Sequence, residues 1–162
     1  MRSLFFQLAE RLRARSALGC DDIVALSALP GKRVTLAAHT HLFREREVRP
    51  PVTLLCDGIA FSYKIARNGA RQILALHIAG DLIGLESVIL GTADCGAQTL
   101  TNCRVVQVDN LDCLKLIEAR PRIARAICAE SLVEKAMLKE QVLNVGRRSA
   151  LIGLPISSAN LA

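Results

Sequence analysis

The chain has 162 residues, of which 51% are hydrophobic and 22% are charged, so it can bury a core of its own and is not a disordered polymer. Its net charge of +6 comes from the two ends, because residues 34–119 carry eight basic and nine acidic side chains. With 3% aromatic residues and no central basic patch, the body of the chain lacks the composition of a nucleic-acid-binding surface.

The sequence also argues against membrane insertion and against a cysteine-based metal motif. No apolar run approaches the roughly 20 residues that a membrane-spanning helix needs. Charged residues from Glu10 to Arg15 occupy the region where a signal peptide is apolar, so we expect a cytoplasmic protein.

The cysteines are too widely spaced for a typical zinc or iron–sulfur motif, and most should be buried as small hydrophobic residues. They are Cys20, Cys56, Cys95, Cys103, Cys113 and Cys128.

Residues 1–30 are predicted to form two helices. Leucines recur at helical spacing between Ser3 and Leu18, and the narrow apolar stripe favours packing against the body over binding to a membrane surface. Asp21 and Asp22 then mark the first turn of a short second helix that ends near Pro30. Both helices precede the main domain.

Residues 31–118 contain about eight short strands at intervals of roughly ten residues, which is typical of an antiparallel barrel or jelly roll. One helical turn or two at Glu86–Leu90 and a helix from Asn110 to Ile117 interrupt and follow the strands. The predicted strands include Arg33–Ala38, His41–Phe43, Val52–Cys56, Ile59–Ala66, Arg71–Ile78, Ala97–Leu100 and Cys103–Asp109.

Glycine-containing turns connect these strands. Asn68-Gly69 lies between two alternating runs and predicts a β-hairpin with a type I′ turn, and Asp57-Gly58 is a second hairpin signal. Gly80 and Gly84 bracket an apolar pair, so the backbone there can turn sharply and approach another group closely.

Residues 119–150 are predicted to form one long helix, which begins at Pro121 and continues to about Ser149. Its apolar residues cover more than half of the circumference, which is more than one contact with a barrel requires. A second copy of the helix, paired about a two-fold axis, is the economical partner, and burial against a further domain is the alternative. The expected homodimer contacts are Ile123, Ile127, Leu138, Val142 and Val145.

Several segments taken in order give the chain a specific resemblance to Crp/Fnr-type bacterial transcription regulators. The resemblance implies a double-stranded β-helix jelly roll of the cyclic-nucleotide-binding type, a long dimerisation helix, and a C-terminal winged helix-turn-helix that binds DNA. It is carried by Asp57-Gly58-Ile59, Tyr63-Lys64, Arg71-Gln72-Ile73-Leu74, His77-Ile78-Ala79-Gly80-Asp81-Leu82-Ile83-Gly84 and Asn144-Val145-Gly146-Arg147-Arg148.

The same resemblance predicts a ligand pocket, but with altered chemistry. Members that bind a cyclic nucleotide place a Gly-Glu pair on the ribose and an arginine on the phosphate, whereas here Leu85 follows Gly84 and Cys95 falls at the arginine position. Residues 85–102 contain no lysine or arginine, so an anionic phosphate would lack a cation and cyclic AMP is the disfavoured alternative. The predicted pocket residues are Gly80, Asp81, Gly84, Leu85, Glu86, Cys95, Gln98 and Thr99.

We predict no cofactor and no metal. The clustered N-terminal cysteines of oxygen-sensing relatives are missing, and His77 lies within a strand, where a structural histidine is more common than a haem ligand. Thiol sensing through Cys95 or Cys103 stays open, since it depends on exposure and pKa. A cupin-type metal enzyme is the weakest alternative, although His39 and His41 are expected on one strand face.

Residues 151–162 carry no charge and contain Gly153 and Pro155, so they cannot form a helix-turn-helix. We interpret this change of character as truncation or a frameshifted end of a longer regulator. The alternative is a protein without its own DNA-binding domain that pairs with full-length relatives. The sequence therefore predicts a non-enzymatic sensor and dimerisation unit, with DNA bound only through a domain that this chain lacks.

Overall fold

The computed structural model describes residues 18–147. The predicted helix that starts at Ser3 and the uncharged segment 151–162 therefore lie outside the described residues. The elements are α1 (Cys20–Ser27), β1 (Gly31–Leu36), β2 (His41–Phe43), β3 (Val52–Asp57), β4 (Ala60–Ile65), β5 (Arg71–His77), β6 (Leu82–Ile83), α2 (Glu86–Leu90), β7 (Gly96–Thr99), β8 (Cys103–Val108), α3 (Asn110–Ala119) and α4 (Pro121–Arg147).

The eight strands of the described part form two four-stranded antiparallel sheets. One sheet has the order β1-β8-β3-β6, and the other has the order β2-β7-β4-β5. Strands that are neighbours in a sheet are mostly far apart in sequence, as β1 with β8 and β2 with β7 show. This arrangement is the jelly roll that the strand spacing and the family resemblance predict, so the predicted fold class is confirmed.

The central strand β3 is buried on both of its faces. Leu54 points to the layer of helices, where it packs in one apolar cluster with Val106 and Ile123. Leu55 points between the two sheets, where it joins Val105 in a second cluster. Because successive side chains of a strand face opposite sides, two adjacent leucines can serve two cores. β3 thus joins the sandwich to the helices.

The hairpin between β4 and β5 exists, but its turn is not the predicted type I′. A type I′ turn needs positive φ at both central residues, and here φ is positive at Gly69, at 82°, but not at Asn68. The Ala66 carbonyl accepts a hydrogen bond from the Gly69 amide at 2.8 Å, and the Ala66 amide donates to the Ala70 carbonyl at 2.8 Å. The loop is therefore a type I turn completed by a left-handed glycine.

The second predicted hairpin, at Asp57-Gly58, is wrong. β3 belongs to one sheet and β4 to the other, so the chain crosses between the sheets at this point. Gly58 has a φ of 92°, and an added Cβ would collide with the Asn102 carbonyl oxygen and lie 2.7 Å from the Cys103 sulfur. Glycine is required at position 58 because two chain segments cross closely there, and not because the chain forms a hairpin.

Gly58→Ala should destabilise the fold far more than Gly69→Ala. Both glycines have positive φ, which costs an alanine roughly 1–2 kcal/mol, but a Cβ at Gly69 meets nothing within 4 Å. The collision at Gly58 should bring its total cost to roughly 2–5 kcal/mol. Urea unfolding midpoints of the two variants measure this difference, and equal midpoints would contradict the crowding inferred at Gly58.

Candidate ligand cavity

The long helix α4 is anchored at its first turns and exposed beyond them. Pro121 opens the helix, and Ile123 and Ala126 are fully buried against the β1-β8-β3-β6 sheet and its helices. From there α4 passes in front of the turn between β6 and α2. A cavity of about 450 Å³ lies between that turn, β5 and α4.

Six of the eight predicted pocket residues line this cavity: Gly80, Asp81, Gly84, Leu85, Glu86 and Cys95. Gln98 and Thr99 do not line it. The Gln98 side chain accepts a hydrogen bond from Arg71 at 2.7 Å and donates one to the His39 carbonyl at 2.7 Å. The Thr99 hydroxyl joins the Ala37 carbonyl and the Thr40 amide, both at 2.8 Å. These two residues therefore stabilise the β1–β2 connection.

Close contacts at two glycines position the segment that forms one wall of the cavity. Gly80 has a φ of 98° and its amide donates to the Leu55 carbonyl at 2.8 Å, so the turn is fastened to β3. Gly84 has a φ of 83°, and a Cβ at this position would lie 2.8 Å from the Phe43 ring. Because Gly84 has no side chain, its backbone can pack directly against the Phe43 ring of the core. α2 then begins two residues later, at Glu86.

A buried hydrogen-bond chain holds α2 against α3. The Ser87 hydroxyl donates to the Gly84 carbonyl at 2.6 Å. The Asn110 amide group donates to the Ser87 oxygen at 2.9 Å and to the Pro50 carbonyl at 3.3 Å. The predicted start of α3 at Asn110 is confirmed, and Asp109 caps the helix, since its carboxylate accepts a hydrogen bond from the Leu111 amide at 2.8 Å. The Asn110 side chain also connects the cavity wall to the helical layer.

The cavity lining is acidic. Among the described residues that line it there are five carboxylates and no lysine or arginine. Arg71, the first residue of β5, does not line the cavity: its guanidinium lies 4.3 Å from the centre of the Tyr63 ring and donates a hydrogen bond to Gln98. The carboxylates are Asp81, Glu86, Asp94, Glu130 and Glu134.

Three potential metal ligands converge in one wall of the cavity. The ligand atoms of Glu86, Asp94 and Cys95 all lie within 4.8 Å of one another. Burial raises the pKa of Glu86, and nearby Asp94 adds to this effect. Burial, together with Asp94 and Glu86, raises the pKa of the Cys95 thiol to about 12. Glu86 and Cys95 were predicted as pocket residues, but Asp94 was not, because no spacing rule links residues on either side of α2.

The histidines do not form the metal set of a cupin. His77 lies with Nε2 2.7 Å from the Ser62 hydroxyl and Nδ1 3.8 Å from the Asp81 carboxylate. His41 lies with Nδ1 3.2 Å from the Tyr63 hydroxyl. The expectation that His39 shares a strand face with His41 is wrong, since His39 has a φ of 63° and lies in the turn before β2. No histidine belongs to the three-ligand group found in the described residues.

The cysteines proposed for thiol sensing are buried. Cys95 is 8% exposed and its raised pKa makes it a poor nucleophile, and the Cys103 thiol donates to the Ile59 carbonyl at 3.3 Å. The exposure and lowered pKa that thiol sensing requires are not found at Cys95. The exposed cysteines are Cys20 on α1 and Cys128 on α4.

The five predicted dimer contacts do not share one environment. Ile123 is 0% exposed, so it belongs to the core of its own chain, and its assignment to a dimer contact is wrong. Ile127 is half-buried and lines the cavity. Leu138 and Val142 are 45% and 72% exposed, whereas the Val145 side chain lies outside the described part. Further exposed apolar side chains on α4 are Leu132, Met137 and Leu143.

Comparisons with known proteins agree with this architecture. The family described as "Cyclic nucleotide-binding domain" matches residues 33–120. The nitrogen fixation regulation protein FixK of Bradyrhizobium diazoefficiens is 26% identical over 74% of this chain and 50% of its own length. The transcriptional activatory protein AadR of Rhodopseudomonas palustris is 31% identical over 67% of this chain and 45% of its own length.

Among solved structures, that of FixK2 from Bradyrhizobium japonicum superimposes with a TM-score of 0.68 at 26% identity, over 74% of this chain and 59% of the FixK2 chain. The chain belongs to the cyclic nucleotide-binding domain family. Within it, the chain is the sensor domain, with its C-terminal helix, of a Crp/Fnr-type transcription regulator.

The chain spans about half the length of the curated relatives that it matches. Those two relatives are named as regulatory proteins, and neither name is that of an enzyme. No helix in residues 18–147 is long and apolar enough to cross a bilayer.

Glu86→Gln should stabilise the protein increasingly as the pH rises. Because the folded state raises the pKa of Glu86 above its ordinary value of 4.5, it holds this proton more tightly than the unfolded state does. The wild-type free energy of unfolding therefore falls as the pH rises from about 4.5 through the folded-state pKa, and then stays lower. Melts between acidic and neutral pH, with exposed Glu118→Gln as control, test this sign.

Proposed function

We propose that this chain is the sensor and dimerisation unit of a cytoplasmic Crp/Fnr-type regulator, and that its cavity receives the signal. The observation that supports the proposal is that the jelly roll and α4 both line the cavity. A ligand that contacts both elements stabilises one position of α4 relative to the roll, and a ligand can shift an equilibrium only through such differential contacts. In this proposal α4 transmits the signal from the cavity to the DNA-binding part of the regulator.

We further propose that α4 pairs with the α4 of a second copy. Its first turns are packed in the core of the chain, but Leu138 and Val142, one turn apart on the same side of the helix, remain exposed. Exposed apolar neighbours of this kind are unusual for a solitary helix and are typical of a helix that pairs. A closed two-fold dimer covers the same surface on both copies.

Val142→Glu should convert the dimer into a folded monomer. The substitution adds a charge where a partner helix would exclude water, whereas in a solitary helix the 72%-exposed Val142 tolerates a charge. Light scattering gives the mass, and circular dichroism checks the fold. The matched control is Glu140→Lys, which changes a charge two residues away, on the opposite side of the helix. A monomeric wild-type chain, or a dimer that survives Val142→Glu, would refute the pairing.

Cyclic AMP should leave the melting temperature of the chain unchanged. A ligand that binds only the folded state raises it, but no lysine or arginine is among the described residues that line the cavity, and Cys95 replaces the arginine expected from the family resemblance. Thermal melts with and without millimolar nucleotide measure the effect. A clear rise in melting temperature would show that an arginine-free pocket holds the phosphate, and this part of the proposal would then be abandoned.

A further inference from the structure

Apolar side chains line the cavity on both of its sides. β5 and the segment from β6 to α2 contribute leucines on the side of the jelly roll, and α4 contributes apolar side chains on the other side. Leu76, Met137 and Leu138 are 63%, 60% and 45% exposed, so a molecule that enters the cavity can contact them. The apolar side chains on the two sides include Leu74, Leu76, Leu85, Ile127, Met137 and Leu138.

The polar groups of the jelly-roll wall are already hydrogen-bonded to one another. Asp94 is bonded to both Glu86 and Cys95, and Cys95 is also bonded to Ser62. The Ser62 hydroxyl in turn lies 2.7 Å from Nε2 of His77. A charged ligand at this wall would have to break hydrogen bonds that the protein makes within itself, and a broken bond leaves a polar group without a partner.

The other carboxylates of the cavity also interact with the protein. The Asp81 carboxylate accepts a hydrogen bond from the Ile78 amide at 2.9 Å and lies 3.8 Å from Nδ1 of His77. Glu130 and Glu134 of α4 are likewise engaged with neighbouring groups. The acidic side chains therefore give no reason to expect a cationic ligand.

An anionic ligand is disfavoured for a different reason. The described residues that line the cavity include no lysine and no arginine, so a negative charge that left water there would lack a counter-charge. With both signs of charge disfavoured, the apolar side chains are the surface that the cavity offers to a ligand. Its volume of about 450 Å³ lies within the range of roughly 300–1,000 Å³ that is typical of small-molecule sites.

We propose that the cavity binds an uncharged small molecule with an apolar body, which packs between β5 and α4. The inference rests on the proposed function, because it names the chemical class of the signal that the sensor receives. A ligand in contact with Leu76 of β5 and Met137 of α4 binds most tightly at one separation of the two elements. Its binding therefore favours one position of α4, and no bond is formed or broken.

Two fluorescent probes that differ in charge test this class of ligand. N-phenylnaphthylamine is uncharged, and anilinonaphthalene sulfonate has the same aromatic rings with an added sulfonate. Both fluoresce strongly only in apolar surroundings, so fluorescence titration of the chain gives the affinity and the stoichiometry of each probe. We expect the uncharged probe to saturate at one molecule per chain. The sulfonate should bind at least roughly tenfold more weakly, because a buried anion has no cation there.

Substitutions in the lining show whether the probe occupies this cavity. Ala75 is half-buried on β5 and lines the cavity, so the ring of Ala75→Phe should take up ligand space and weaken the uncharged probe at least roughly tenfold. The matched control is Gln72→Phe, which adds the same ring to the same strand at an exposed position outside the lining and should leave the affinity unchanged.

A second variant removes apolar lining without filling the cavity. Met137→Gln replaces an exposed thioether of α4 with a polar group of similar size and should weaken the uncharged probe by roughly threefold or more. Because Met137 is 60% exposed, this variant should fold, and it keeps the test decisive if Ala75→Phe does not.

The outcomes separate this inference from the proposed function. No saturable binding of the uncharged probe, or equal affinities for the two probes, overturns the inference. An unchanged affinity in each folded variant of the lining also overturns it. A dimeric chain that does not bind the uncharged probe would refute the ligand class alone, whereas a monomer that binds it selectively would refute pairing through α4 and leave the ligand class intact.

Discussion

The anchoring of α4 in the core is the constraint on which the functional parts of this structure depend. Ile123 and Ala126 are fully buried among residues of β3, β8 and α3. A buried isoleucine and the small alanine one turn away fix both the position and the direction of the helix, because close packing leaves few alternative arrangements. The rest of α4 must then pass the turn between β6 and α2. This path of the helix encloses the cavity on one side and leaves apolar side chains of α4 exposed on the other.

The charge of the cavity separates it from the nucleotide-binding chemistry that its family name suggests. A phosphate bound away from water needs a cation or several hydrogen-bond donors, and here Cys95 and Asp94 occupy the wall instead. The fold is shared with a family that is named for cyclic nucleotides, but the function of a pocket follows from its side chains.

Close contacts connect the cavity wall to both cores. Gly84 presses against Phe43 in the sandwich, and Ser87 bonds to Asn110 at the start of α3. A change in the position of α2 therefore displaces groups that are close-packed on two sides. We therefore expect a bound ligand to move α4 more readily than the sheets, because the outer turns of α4 have fewer packing contacts.

The sequence by itself determined the features that depend on neighbouring residues. Alternation marked the strands, Pro121 marked the start of α4, and glycine marked several of the sharp turns, since periodicity and φ preferences are properties of short segments. Family resemblance added the jelly roll and six of the residues that line the cavity. The tertiary structure alone decided that Asp57-Gly58 crosses between sheets and that Ile123 faces its own core. It also decided that Asp94 joins Glu86 and Cys95, because convergence of side chains depends on how α2 and β7 pack, and no local pattern encodes that distance.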